Sequence, residues 1–245
     1  MRAFVMLLLV YAFPHARDAE SLAARFAPPP GAHRVAVTDG SFGDFLRNLP
    51  LLPRGAPVKL WNGALKSRQD VHAAVVDLDV PPRDLQQCAD TIMRLWAEYR
   101  FAKERPIAFH PDPGKARTLA FRGHDRKAFM RWMINVFAEA GSMSLASELK
   151  PIAGGVQPGD VLIQGGYPGH AVIVLDVAVS EDGKRRWLLL GQSYMPAQQL
   201  HVLVDEKSPT LSPWYDAAAL TSPTGLRTPE WRPFFARDVR RFADD

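Results

Sequence analysis

The sequence predicts one α+β domain, and three features lead to this class. Apolar residues recur at helical spacing in two long stretches, near residues 84–102 and 125–140. Three β-rich runs joined by short glycine-containing turns follow between residues 158 and 192. Helices that precede a meander of strands, instead of alternating with the strands, favour α+β over α/β. With 47% hydrophobic and 23% charged residues among 245, the chain has the composition of a globular protein.

The individual elements follow in chain order. Ser41, with Asp44 three residues later, predicts a short capped helix, and "APVKLW" and "HAAVVDLDV" predict strands. Beyond the helix near 84–102, "PIAFHPDPGKARTLAFRG" predicts two extended segments around a turn. The helix in "DRKAFMRWMINVFAEA" is predicted to stop at Gly141, and "SMSLASEL" predicts another short helix. The meander consists of "PGDVLIQ", "HAVIVLDVAV" and "RWLLLGQ", and "QLHVLVD" is expected to add a fourth strand.

The N-terminal residues predict export. Arg2 precedes an apolar run from Ala3 to Phe13, and the small residue Ala16 follows, so residues 1–16 have the pattern of a secretory signal peptide. An ordinary apolar helix is the alternative. The run is short for a bilayer span, so no stable membrane span is expected after cleavage. These features predict a periplasmic or extracellular protein.

A proline-rich leader is predicted over residues 17–31, which contain "APPPG", and a single domain with an irregular C-terminal tail over residues 32–245. The net charge of +4 is modest, and the Lys and Arg residues are spread along the chain, so no nucleic-acid partner is expected. The phosphate-binding patterns GxGxxG and GxxxxGK and the nucleophile pattern GxSxG do not occur. The sequence gives no indication of the oligomeric state.

Cys88 is the only cysteine, and it lies in a predicted helix that begins after Asp84. Asp84 is a suitable N-cap and Gln87 occupies the capping-box position, so Cys88 would lie about one turn into the helix. A helix N-terminus favours the thiolate, which is the nucleophilic form of cysteine. Cys88 also belongs to the apolar stripe of the same helix, where a buried cysteine acts as a small hydrophobic residue. The sequence therefore allows Cys88 to be either a nucleophile or a core residue.

His170 lies where the glycine-rich turn "GGYPG" enters the strand "HAVIVLDVAV". A thiol nucleophile needs a base within hydrogen-bond reach, and that base is oriented by a third polar group. His170 is placed to be this base, although a histidine at a strand start is also commonly structural. Gly165, Gly166, Tyr167, Tyr194 and Trp214 are predicted to line a binding groove beside it.

Gln192 is the candidate for the third group, and the strand register decides whether it faces His170. A two-residue turn at 182–183 would place Ser193 on the face of His170, whereas a three-residue turn at 181–183 would place Gln192 there. The sequence suits both turns. Asp176 lies six residues along the same strand, on the order of 20 Å away, and is too distant to orient the ring.

Metal binding is the competing chemistry. Asp77 and Asp79 share one face of a predicted strand with His72 nearby on the opposite face, and His110 is close to Asp112. None of these groups has a recognised ligand spacing, so no metal and no cofactor are predicted. Arg94 and Glu98 are four residues apart, which predicts a helix-surface pair or contact with a tertiary partner.

Three blocks resemble the bacterial family named domain of unknown function 4846 (DUF4846) over roughly residues 30–235: "LQQCADTIMRLWAEY", "PGDVLIQGGYPGHAVIVLDVA" and "GQSYMPAQQLHVL". The block around His170 is also remotely similar to the strand–turn–His–strand block of NlpC-type and CHAP-type papain-like peptidases and amidases, which cleave cell-wall peptides. In those enzymes a cysteine at a helix N-terminus precedes a strand histidine and a polar residue, and Cys88, His170 and Gln192 match this order. The usual "DCSG" context is missing, because Ala89 and Asp90 follow Cys88.

The resemblance implies a papain-like core with helices packed on an antiparallel meander or half-barrel. It also implies an exported thiol hydrolase, or a degenerate relative, that acts on a cell-envelope peptide or amide. Cys88 would be the nucleophile, His170 the base and Gln192 the orienting group. The alternatives are a non-catalytic envelope-binding module and, third, a metal-dependent hydrolase.

Overall fold

The computed structural model describes residues 19–111 and 117–243. The predicted signal peptide, residues 1–16, lies outside these ranges, as do most of the Pro-Asp-Pro-Gly turn and Asp112. Among the described residues, no helix is long and apolar enough to cross a membrane.

Five α-helices form within the described ranges. They are α1 Leu22–Arg25, α2 Phe42–Arg47, α3 Cys88–Ala102, α4 Arg126–Glu139 and α5 Ser142–Glu148. Ser41 caps α2 by accepting from Asp44 N at 3.3 Å, and Asp125 caps α4 by accepting from Ala128 N at 2.6 Å. Both caps satisfy backbone N–H groups that have no partner inside the helix.

The strands in chain order are β1 Ala32–Arg34, β2 His72–Val75, β3 Ile107–Phe109, β4 Leu119–Phe121, β5 Lys150–Pro151, β6 Val161–Gln164, β7 His170–Ser180, β8 Arg186–Gln192, β9 His201–Leu203, β10 Trp214–Asp216 and β11 Val239–Arg241. Nine of them form one sheet whose main path is β2-β9-β8-β7-β6-β11-β5, while β1 pairs with β7 and β10 with β8. All of these pairings are antiparallel. The separate hairpin β3-β4 completes the mixed α+β fold, which confirms the predicted class.

Strand β7 is the centre of the molecule because both of its faces are covered. Ile173 and Leu175 belong to the apolar cluster that contains the core residues of α3. Val172 and Val174 belong to a second cluster, on which Phe234 of the C-terminal segment packs. Burial on both faces explains the nearly continuous apolar sequence of β7.

Three predicted boundaries differ from the structure. Leu22 lies in the core and is fully buried, so the packed domain already includes part of the predicted leader 17–31. The C-terminal segment, predicted to be an irregular tail, supplies β10 beside β8 and inserts β11 between β6 and β5. The predicted strand "APVKLW" forms only isolated bridges, Lys59 to Leu65 and Leu60 to Gln198, so no strand develops there.

An ionic network centred on the buried Arg94 and Glu98 holds the polar side of α3. The Arg94 guanidinium donates to Asp79 Oδ1 at 2.5 Å and to Gln86 Oε1 at 2.7 Å, and it lies 3.3 Å from Glu98 Oε1. Arg126 of α4 also pairs with Glu98. Arg94 and Glu98 are both buried, so the predicted surface pair is instead a tertiary contact. It attaches the segment before α3 to the body of that helix.

Candidate active site

Helix α3 begins at Cys88, which is one turn later than the sequence predicts. The N-cap is Gln87, whose backbone N–H donates to Asp90 Oδ2 at 3.1 Å. Asp84, the predicted cap, instead accepts from Ala197 N at 2.7 Å and from Gln87 Nε2 at 3.1 Å. Because Asp84 is held by the segment after β8, the residues up to Gln87 stay outside the helix. Cys88 is therefore the first helical residue.

The Cys88 sulfur lies against the start of β7. The backbone N–H of Ala171, the residue that follows His170, acts on this thiol and favours its thiolate form. The side chain is 5% exposed. Burial is the main influence and raises the pKa of the Cys88 thiol to about 11, with a smaller contribution from Asp90. The backbone N–H groups of Ala171 and of the helix start act in the opposite direction. The resting sulfur is consequently a neutral thiol.

His170 is the first residue of β7 and is fully buried. Its ring is enclosed by three aromatic rings, with centroid distances of 5.0 Å to Tyr194, 4.9 Å to Trp231 and 6.3 Å to Phe234. Burial lowers the pKa of His170 to about 4, and the hydrogen bond to Gln192 opposes this shift. The imidazole is therefore neutral at physiological pH, which leaves one ring nitrogen able to accept a proton.

Gln192 contacts His170 directly. Its Oε1 lies 3.0 Å from His170 Nε2, and both side chains are buried. His170 Nδ1 is also buried and has no hydrogen-bond partner among the described residues. Since a neutral imidazole carries one N–H and one lone pair, a proton on Nε2 leaves the lone pair on Nδ1.

A β-bulge, and not the turn, brings Gln192 to the face of His170. Next to the hairpin turn, Val179 pairs with Arg186, which is the register of the two-residue turn and would place Ser193 beside His170. The register then shifts between Val174 and Asp176, so that Leu175 is an extra residue on β7. The shift by one residue moves Gln192 onto the face of His170.

Gly191 accommodates the bulge. A Cβ atom at this position would lie 2.5 Å from Leu175 Cδ1, so only glycine leaves room for the bulged side chain. Asp176 accepts from Arg34 Nε at 2.6 Å and Arg47 Nε at 2.7 Å. It therefore serves the attachment of β1 and α2 and not the histidine, as the sequence predicts.

The polar contacts continue beyond Gln192. Gln192 Nε2 donates to Glu230 Oε2 at 2.8 Å, and Lys66 Nζ donates to Glu230 Oε1 at 2.5 Å. The Tyr194 hydroxyl donates to the backbone oxygen of Glu230 at 3.0 Å. Burial, followed by the proximity of Glu230 and Cys88, raises the pKa of Tyr194. The chain His170, Gln192, Glu230, Lys66 thus runs from the candidate base into the protein.

A pocket of about 270 Å³ gives access to Cys88. It lies between the start of α3, the start of α5 and the glycine-rich loop, and its lining includes Cys88, Gln87, Ser142, Gly166, Tyr167 and Met195. Tyr167 is 78% exposed. The pocket is large enough for a side chain or a short segment of a ligand, and the thiol forms part of its wall.

The residues predicted to bind a ligand are placed differently from one another. Gly166 and Tyr167 line the pocket, and Tyr194 packs on His170. Gly165 lies behind the loop, where an added Cβ would meet Ala146, Met143 and Ser142. Trp214 is in the core, and its Nε1 donates to Ala27 O at 2.9 Å. The prediction for Trp214 is wrong because β10 pairs with β8 and turns this side chain inward.

The sequence interpretation missed Lys66, Glu230 and Trp231. All three come from segments with no regular secondary structure, and Trp231 packs on His170 although it lies 61 residues later in the chain. The only local signal is "TPEW", an aromatic and an acidic residue together after a proline.

The predicted candidates for metal ligands have other partners. Within residues 19–111 and 117–243, no group of three or more His, Cys, Asp and Glu side chains could hold a metal ion. Asp79 is engaged by Arg94, and His110 Nδ1 lies 2.8 Å from Glu148. His201 Nδ1 contacts Gln199 O at 2.9 Å.

The fold is mixed α+β, with the buried pair His170 and Gln192 at one end of a large antiparallel sheet and Cys88 at the start of α3. Residues 22–118 and 116–241 match the family described as domain of unknown function 4846. These segments cover most of the chain, which therefore belongs to the DUF4846 family. No curated protein and no solved structure matches it.

Proposed function

We propose that this protein is a thiol hydrolase that cleaves an amide bond by acyl transfer, with Cys88 as nucleophile, His170 as general base and Gln192 as the group that orients His170. One observation carries the proposal. His170 has one nitrogen bonded to Gln192 and the other, buried, without a partner among the described residues, and the backbone N–H of the next residue, Ala171, favours the thiolate of Cys88. A thiol, a neutral imidazole and an orienting carbonyl are the parts that nucleophilic catalysis requires.

The reaction begins from neutral groups. As the sulfur of Cys88 attacks the amide carbon, its proton moves to Nδ1 of His170, so a C–S bond forms and an S–H bond breaks. The imidazolium then gives that proton to the departing amine nitrogen while the C–N bond breaks. The thioester left on Cys88 is cleaved by a water molecule, which gives one proton to His170 and its hydroxyl to the acyl carbon. The C–S bond then breaks, the imidazolium returns its proton to the sulfur, and the carboxylic acid leaves.

Backbone N–H groups at the start of α3 would stabilise the oxyanion. They have no partners inside the helix, and their dipoles point toward the region where negative charge develops. The start of α3 at Cys88, rather than one turn earlier, places these groups next to the sulfur.

The class of substrate follows from the resemblance. A papain-like core, export and a cell-envelope peptide or amide as substrate belong together in the NlpC-type and CHAP-type enzymes. The short pocket beside Cys88 and the exposed Tyr167 suit a peptide that lies across the glycine-rich loop. The substrate class and the role of Cys88 thus depend on analogy, whereas the role of Gln192 depends on its contact with His170.

The decisive experiment measures hydrolysis of cell-wall fragments. The parent protein, Cys88→Ala and Met195→Leu are incubated with soluble cell-wall fragments, and products are identified by mass spectrometry. Met195→Leu is the control, because it changes the pocket lining at nearly constant volume and leaves the nucleophile in place. Hydrolysis by the parent and the control, with a loss on the order of 10³-fold or more in Cys88→Ala, supports the proposal.

Two outcomes contradict it. Equal hydrolysis by the parent and Cys88→Ala would remove Cys88 from the reaction. Binding of fragments without cleavage by either protein would favour the envelope-binding module, with the pocket and Tyr167 as its surface.

A further inference from the structure

We infer that Glu230 and Lys66 are positioning residues that fix the direction of the hydrogen bond between Gln192 and His170, and thereby keep the lone pair of His170 on Nδ1. This inference rests on the proposed function for its purpose but not for its measurement. Both residues lie outside the Cys, His and Gln group.

A glutamine side chain alone does not choose an orientation. Its amide has an oxygen that accepts and a nitrogen that donates, and the two ends have nearly the same shape. If the nitrogen of Gln192 faced His170, Nε2 of the ring would have to accept, and Nδ1 would carry the proton. In that state Nδ1 has no lone pair with which to take a proton from Cys88. The identity of the partner at the far end of Gln192 decides between the two states.

Glu230 decides it because an ionised carboxylate only accepts. Glu230 Oε2 lies 2.8 Å from Gln192 Nε2, so the amide nitrogen must face Glu230 and the oxygen must face His170. His170 must then donate from Nε2, across 3.0 Å.

Lys66 keeps Glu230 in this role. Its ammonium only donates, lies 2.5 Å from Glu230 Oε1 and is almost completely buried with its partner, at 5% and 10% side-chain exposure. Lys66 Nζ also lies 5.5 Å from the centroid of the Tyr194 ring, whose hydroxyl is bonded to the Glu230 backbone. Lys66 thus supplies the opposite charge that a buried carboxylate requires.

Every hydrogen bond in this row of four side chains therefore has one allowed direction from donor to acceptor: Lys66 to Glu230, Gln192 to Glu230, and His170 to Gln192. A donor-only residue and an acceptor-only residue at one end determine the tautomer of a histidine at the other. The sequence separation is 164 residues between Lys66 and Glu230, so only the tertiary structure assembles the chain.

The nearly isosteric variant Glu230→Gln provides the test. Lys66 only donates, so the oxygen of the new amide turns to Lys66 and its nitrogen turns to Gln192. Gln192 must then rotate, with its nitrogen toward His170, and the proton of His170 moves to Nδ1. The nitrogen chemical shifts of the His170 ring, measured by long-range ¹⁵N–¹H correlation, distinguish the two tautomers directly. We expect Nε2–H in the parent and Nδ1–H in Glu230→Gln.

A second substitution is expected to reverse the effect. In the double variant Glu230→Gln with Gln192→Glu, the carboxylate at position 192 accepts from His170 whichever way it lies, and the amide at position 230 donates to it and accepts from Lys66. We expect Nε2–H to return. Glu181→Gln is the matched control, because Glu181 is an exposed glutamate that pairs with His33 and has no contact with the four hydrogen-bonded side chains. Glu181→Gln should leave the tautomer of His170 unchanged.

Hydrolytic activity is measured separately from the tautomer. If Cys88 and His170 act as proposed, kcat/KM falls by about 100-fold or more in Glu230→Gln, which is the usual contribution of a general base. The double variant recovers part of it, which loss of folding alone would not allow. An unchanged Nε2–H tautomer in Glu230→Gln would overturn this inference whether or not hydrolysis is found. A changed tautomer in a protein without Cys88-dependent hydrolysis would overturn the proposed function alone.

Discussion

At the scale of single residues, burial is what distinguishes this cysteine and histidine from free side chains. The pKa values of the two groups are shifted in opposite directions: that of Cys88 is raised to about 11 and that of His170 is lowered to about 4. Both shifts favour the neutral form, because a low-dielectric site disfavours charge. Cys88 and His170 therefore rest as thiol and imidazole, and in the reaction proposed above the proton transfer belongs to the attack itself.

Alkylation of Cys88 checks this state. Only the thiolate reacts, so iodoacetamide should modify the folded protein at pH 7 on the order of 100-fold more slowly than an ordinary thiol, with the rate still rising as the pH approaches 11. Cys88 is the only cysteine, so mass spectrometry of the intact chain follows it directly. The same chain in denaturant is the control. Fast modification of the folded protein at neutral pH would instead indicate a preformed thiolate and imidazolium pair.

Residue-level prediction from the sequence succeeded in part. Gln192 was named correctly as a neighbour of His170 because the strand pattern restricted the choice to two side chains, Gln192 and Ser193. Glu230, Lys66 and Trp231 could not be named, since each reaches the site from an irregular segment whose path depends on the rest of the fold. Trp214 was assigned to the groove on its residue type alone, and its strand pairing buries it.

At the scale of elements, the glycine-rich loop 165–169 decides how closely the pocket wall approaches β7. Gly169 is the most crowded position in it. A Cβ there would lie 2.0 Å from Ser142 Oγ and 2.7 Å from Gly166 N. At Gly165 the nearest atoms would be 3.3 Å away. A methyl group at Gly169 would therefore overlap neighbouring atoms, whereas a methyl group at Gly165 would only make close contacts.

Gly169→Ala is expected to destabilise the protein by about 1–3 kcal/mol, because the added methyl overlaps backbone and must move the loop. Gly165→Ala, the control in the same loop, should cost clearly less. Urea unfolding followed by circular dichroism compares the free energies of unfolding. Equal costs for the two variants would contradict the view that Gly169 is kept free of a side chain by close approach.

The start of α3 and the register between β7 and β8 differ from what local sequence preferences predict. The capping residues Asp84 and Gln87 predict a helix that starts before Cys88, but Asp84 is taken by Ala197 N, and the helix starts at Cys88. The hairpin turn predicts one strand register, but the bulge at Leu175 replaces it with another halfway along β7. In both cases a contact from a distant part of the chain outweighs a local preference.

At the scale of the whole molecule, two fully buried histidines link stability to pH. Burial lowers the pKa of His170 to about 4 and that of His201 to about 3. In the unfolded chain both pKa values are near 6.5, so between pH 7 and pH 4 the unfolded state binds more protons than the folded state. These two histidines therefore make the free energy of unfolding fall as the pH is lowered through this range.

The size of this fall can be measured with His201, which is not part of the proposed reaction. Its contribution should be roughly 3 kcal/mol between pH 7 and pH 4, so the decrease in His201→Gln should be smaller than in the parent by about that amount. His33→Gln is the control, because the His33 side chain is 56% exposed. Urea unfolding at a series of pH values gives the slopes. Parallel curves for the parent and His201→Gln would show that His201 is not buried as a neutral group.

The sequence by itself determined the class of fold and the order of the main elements, because helical and alternating apolar periods are local and record which face of each element is buried. It also restricted the neighbour of His170 to Gln192 or Ser193, since the adjacent strand offers only these two side chains. Tertiary structure alone decided the start of α3, the bulge that aligns Gln192, and the inward course of the C-terminal segment that brings Glu230 and Trp231 to the histidine. Those features depend on contacts between residues far apart in the chain, which no local pattern encodes.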